Sequence, residues 1–147
     1  MKLGLQLYNF RSELKEDFRG TLKKIAALGF DGVEFASFYG KIPPAELAGL
    51  IQELGLECAG TMFSVDEILN PSSQVFEYAH ALKSPAVTVS IMYDFVANCD
   101  AFCETCRKLG DAAHANGCVF TYHNHWAEFD RKDGVPVMDL LWFGPYR

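Results

Sequence analysis

The sequence predicts an α/β fold, a parallel sheet with helices packed on it. Two observations carry this. Short apolar runs alternate five times with longer stretches of helical period. Three junctions, "LGFDGVEF", "LGLECAG" and "ANGCVFTY", repeat one device, in which a helix stops at a glycine and a buried strand follows.

The first strand is "LGLQL" (3–7). Residues 17–29 form a helix, with Phe18, Leu22, Ile25, Ala26 and Leu28 near one face and Gly29 in the left-handed position that ends it. "GVEFA" (32–36) is the second strand, and 43–55 a helix with proline in its first turn and Gly55 at its end. A strand at 56–60 leads to a helix over 72–83. The β-branched run 86–92 is the fourth strand. A long helix spans 98–117, the fifth strand spans 118–124, and a last helix begins within 135–143. The order fits either a doubly wound open sheet or a (β/α)8 barrel. No Gly-x-Gly-x-x-Gly or Walker lysine follows the first strand, which argues against dinucleotide binding.

With 147 residues the chain is long enough for one domain with a core. A net charge of −6 and the lack of any Lys/Arg-rich run argue against nucleic-acid binding. No apolar stretch reaches the ~18 residues of a membrane helix. "MKLGLQLYNF" reads as a strand rather than a signal peptide, so the expected location is the cytoplasm, with the five cysteines as free thiols.

Cys99, Cys103 and Cys106 match the three-cysteine spacing of radical enzymes that bind a four-iron cluster. On a regular helix, however, they fall on one face over about two turns, roughly 10 Å, too far apart to cap one cluster. A thiol-lined packing face is the better reading.

In both architectures chemistry sits at the C-terminal ends of the strands. The polar residues there are Tyr8, Asn9, Arg11, Glu34, Thr61, Ser64, Tyr93, Asp94 and the group in "TYHNHWAEF". Strand alternation turns His123 and His125 to one side and Asn124 to the other. Two imidazoles on one side suit a borderline divalent metal, with Glu128 as ligand or general base. Equally, histidines at a strand end can bind nothing. Glu34 interrupts an apolar strand and is expected to face inward, with Val33 and Phe35 turned to the helices. Gln6 stands in the same relation in the first strand, which suggests a polar inner surface.

Residues 3–40, "LGLECAGTM" and "YHNHWAEF" together resemble the sugar phosphate isomerase/epimerase family, whose fold is the xylose isomerase-like TIM barrel. The resemblance covers residues 3 to about 141 and implies about five βα units of a (β/α)8 barrel, a partial barrel in one domain. It implies metal-assisted proton transfer beside the carbonyl of a small sugar or polyol, with Mn, Mg, Co or Zn as cofactor. Carried onto this sequence, His123, His125 and Glu128 are the metal ligands. Glu128 and His123 are the catalytic residues, and Tyr8, Arg11, Glu34 and Asn124 contact substrate. Two positions depart from the family pattern: His123 replaces a glutamate common there, and Met62 a histidine. A five-unit sheet leaves apolar interior and two strand edges uncovered, so a homo-oligomer is expected. The alternative function is a non-catalytic sugar-binding or self-assembling half-barrel module.

Overall fold

The computed structural model describes residues 1–84 and 86–143. Five parallel strands form one sheet: β1 (Gly4–Gln6), β2 (Gly32–Ala36), β3 (Glu57–Met62), β4 (Ala86–Val89) and β5 (Val119–Tyr122). They are ordered β1-β2-β3-β4-β5, with no reversal. A doubly wound sheet reverses at its switch point, whereas a barrel adds strands in chain order. The described strands therefore form an arc of a (β/α)8 barrel. One contact confirms the curl: the Gln6 amide, on β1, lies 3.5 Å from Nδ1 of His123, just past β5, although these strands end the sheet on opposite sides.

The crossovers carry α1 (Arg11–Glu16) and α2 (Phe18–Ala27), α3 (Pro44–Glu53), α4 (Val65–Leu69) and α5 (Val75–Ala81), and α6 (Cys99–Ala115). A two-strand hairpin, β6 (Arg131–Lys132) and β7 (Val135–Pro136), precedes α7 (Val137–Phe143). None of the described helices is long and apolar enough to cross a membrane.

Local chemistry explains the boundaries. Asp17 caps α2 by accepting the Gly20 N–H at 2.9 Å. The helix ends at Ala27, so Leu28 falls outside its packed face and is exposed, contrary to the periodicity. Gly29, Gly55 and Gly117 all take positive φ as expected. Two helices were not anticipated. α1 follows a 3-10 turn at Leu7–Phe10, where a loop was expected. α4 begins at a capping box, with Ser64 and Glu67 bonding each other's backbone N–H.

Alternation sorts the strands into two faces. Val33, Phe35, Val87 and Val89 are buried against Leu22, Ile25, Leu47, Ile51 and Leu109 of the helices. Register pairs Gln6 with Glu34, Glu34 with Gly60, Met62 with Thr88, and Thr88 with Thr121 along the inner face. That face is largely polar, and Thr88 and Thr121 share a 2.7 Å hydrogen bond on it.

Gly40 marks a tight approach in the β2–α3 loop. Its φ is +65°, and a Cβ there would meet the Phe18 ring at 2.6 Å. Gly40→Ala combines left-handed strain of about 1–2 kcal/mol with overpacking of about 1–3 kcal/mol. A clear fall in melting temperature is expected, and an unchanged one would contradict the packing described.

Cys99, Cys103 and Cys106 lie on one face of α6, buried with Phe95, Phe102, Ala127 and Val137. Burial pushes the Cys103 thiol up to about 12, with the Cys99 thiol adding to the effect. Burial likewise pushes Cys106 to about 12. Above the ordinary thiol value of 9.0, the unfolded chain loses these protons while the folded chain keeps them. Stability from this source is whole below 9.0 and is lost as pH rises toward 12. Urea midpoints are expected to fall as pH climbs through that window, and less steeply in the Cys103→Ala/Cys106→Ala variant. Equal slopes in the two proteins would refute this.

Candidate active site

A cavity of about 360 Å³ opens at the C-terminal ends of the strands. Gln6, Tyr8, Ser37, Ser90, His123 and His125 give it its polar lining. A larger cavity, about 560 Å³, lies between β3 and the C-terminal ends of α3 and α5. It carries Glu57 and Lys83, but it sits at the N-terminal end of β3, away from the strand ends where barrel chemistry resides.

The inner face leads into the smaller cavity through a chain of polar contacts. Gln6 donates from its side-chain amide to Glu34 Oε2 at 2.8 Å and approaches His123 Nδ1 at 3.5 Å. An amide NH₂ only donates, so in this contact Nδ1 of His123 is the acceptor. Gln6, known from sequence only as an inward polar residue, thus couples Glu34 to His123. The His123 and His125 rings stand edge to face with centroids 5.1 Å apart. The alternation argument placed them on one side, and the cavity receives both.

Glu128 has a different place. It is fully buried in a 3-10 turn, Ala127–Phe129, and does not line the cavity. Oε1 accepts from the Tyr122 hydroxyl at 2.6 Å, and Oε2 from the His125 backbone N–H at 3.0 Å. Burial first, and then this bond to Glu128, hold the Tyr122 hydroxyl well above the usual phenol range, so it stays a donor. Nδ1 of His125 is buried without a hydrogen-bond partner among the described residues, 3.9 Å from Glu128 Oε1.

Tyr8 lines the cavity and is exposed, with the Arg11 guanidinium 4.6 Å above its ring. Arg11 also donates to the Tyr8 carbonyl at 3.1 Å. Asn124 turns away as alternation requires and donates to the His125 carbonyl. The remaining polar strand-end residues serve the scaffold. Asp94 accepts the Ala97 N–H, Tyr93 packs on Phe95 and Phe102, and Thr61 donates to the Ala86 carbonyl. Sequence reasoning passed over Ser37 and Ser90. Strand ends at Ala36 and Val89 put both at the mouth, and Ser37 sits in the left-handed region at φ 56°. Tyr122 was also passed over, and its partner Glu128 is set by the turn rather than by any local pattern.

Among the described residues, no three His, Cys, Asp or Glu side chains are placed to hold one metal ion. Glu128 is turned into the core, and Glu34 is engaged by Gln6. As placed, these residues do not fit the metal that the resemblance implies.

No family model and no curated protein matches the sequence. A crystal structure of a sugar phosphate isomerase/epimerase from Parabacteroides distasonis superposes with a TM-score of 0.72. The match covers 97% of this chain at 19% identity. The chain spans 61% of that protein's length. By structure, then, this chain has the fold of a sugar phosphate isomerase/epimerase over that span.

Proposed function

We infer that this chain carries an isomerase or epimerase site for a small sugar or polyol derivative, in which Glu34 and His123 act together. Gln6 and His123 line the cavity, and Glu34 lies on the inner face one hydrogen bond behind Gln6; that chain of contacts supports this reading. A C–H bond beside a carbonyl becomes acidic when the carbonyl oxygen is stabilised as charge develops on it. Glu34 takes the proton from that carbon. The Nε2–H of His123 donates to the carbonyl oxygen, and more strongly to the enediolate oxygen that forms from it. For isomerisation the proton of the adjacent hydroxyl passes to the former carbonyl oxygen and Glu34 returns the carbon-bound proton to the former carbonyl carbon. For epimerisation Glu34 returns it to the opposite face of the same carbon after the enediolate turns over. Tyr8, Ser37 and Ser90 supply donors and acceptors for hydroxyl groups. Arg11, held over Tyr8, supplies a cation for a phosphate on the sugar.

Incubation with aldoses, ketoses and their phosphates in D₂O tests this directly. Deuterium is expected to enter the carbon beside the carbonyl, and His123→Ala is expected to slow entry by about 100-fold or more. No incorporation into any of them, or equal rates in wild type and variant, would overturn the proposal.

A further inference from the structure

The two histidines of the cavity meet different partners on their inner nitrogens, and this difference has a chemical consequence. Gln6 offers His123 Nδ1 an N–H, so that nitrogen accepts. His125 Nδ1 faces the opposite kind of group. It is shut off from water, nothing among the described residues donates to it, and the group beside it is the Glu128 carboxylate at 3.9 Å. A carboxylate only accepts. A lone pair on Nδ1 would face another lone pair there, whereas an N–H at that position meets an attractive charge. That geometry favours the tautomer with the proton on Nδ1, in which Nε2 is the acceptor.

We propose that His123 and His125 form a complementary pair, one presenting an N–H donor and the other a nitrogen acceptor, which together recognise an α-hydroxycarbonyl unit. The carbonyl oxygen accepts from His123, and the adjacent hydroxyl donates to His125. The two rings stand edge to face with centroids 5.1 Å apart, and both line the cavity. Gln6 and Glu128 are the positioning residues that fix the two tautomers. Glu128 is suited to this, since the same carboxylate also holds the His125 backbone and the end of β5 through Tyr122. The use of the pair on a sugar rests on the proton-transfer reading above, but the tautomers themselves do not.

Two-bond ¹H–¹⁵N NMR on the intact chain reads the tautomers. The spectra are recorded at about pH 8, above the ordinary imidazole value of about 6.5. His123 is expected to show its proton on Nε2 and His125 on Nδ1. Glu128→Gln keeps the volume but can turn an NH₂ toward His125, which should move the proton to Nε2. Hydroxyacetone is expected to shift both rings, while acetone should not shift His125. Its dissociation constant should rise at least tenfold in Glu128→Gln. Gln6→Leu changes a part-buried residue instead, and should release the His123 preference while leaving His125 unchanged.

One shared tautomer in the wild-type spectrum would overturn the proposal whether or not Glu128→Gln folds. So would unchanged hydroxyacetone affinity in a folded Glu128→Gln protein. Complementary tautomers and hydroxyacetone binding, without deuterium exchange into any sugar, would leave the pair standing and remove only the isomerase reading.

Discussion

Phe35→Ala is expected to lower the unfolding free energy by about 3–5 kcal/mol, the usual cost of emptying a phenylalanine site in a core. Phe35 is fully buried on the helix-facing side of β2. Its ring stacks on Tyr39 at 5.2 Å, and Tyr39 in turn stacks on Phe63 at 4.8 Å and tilts against Tyr78 at 4.6 Å. Tyr39 also ties the β2–α3 loop to β3 by donating to the Met62 carbonyl at 3.1 Å. Loss of Phe35 therefore removes buried area and loosens the loop that carries Ser37. Domains have only about 5–15 kcal/mol of stability, so a large share would go. Urea unfolding followed by far-UV circular dichroism measures it. A loss under about 1 kcal/mol would mean the aromatic cluster is not packed as described.

Glu34→Gln is expected to reduce solvent-deuterium exchange into substrate by about 100-fold or more, because an amide cannot take a proton from carbon. The change is nearly isosteric. The Gln6 amide can still donate to the side-chain oxygen at position 34, so the His123 contact should survive. Substrate affinity should then change little while turnover falls, which is the pattern of a group that acts in the transition state. A variant that keeps wild-type exchange would remove Glu34 from the reaction. The His123→Ala result would then decide whether the imidazole acts alone.

Much of the fold was legible because it is written in local periods. Strand β2 matches the apolar run "GVEFA" residue for residue, and the inward turn of Glu34 followed from Val33 and Phe35 on either side. The cysteine face of α6 followed from the i, i+4, i+7 spacing. The shared side of His123 and His125 followed from alternation. A capping box at Ser64–Glu67 was equally legible and was overlooked, so α4 was missed. Leu28 shows the opposite failure: the period continues past Ala27, but the helix does not.

Glu128 marks where local pattern runs out. Three residues past His125, it could equally have turned toward the mouth or back into the core, and sequence spacing does not distinguish these. A 3-10 turn sent it inward, where the Tyr122 hydroxyl and a backbone N–H offered compensation for a buried carboxylate.

The sequence by itself determined the order of the five strands, the glycine stops before β2, β3 and β5, and which strand side chains face inward, because periods of 2 and 3.6 residues need only neighbours along the chain. Only the tertiary structure decided that Gln6 and His123, 117 residues apart, would meet. That contact depends on the cumulative curl of five paired strands and on the register of each pair, quantities that no single stretch of sequence contains.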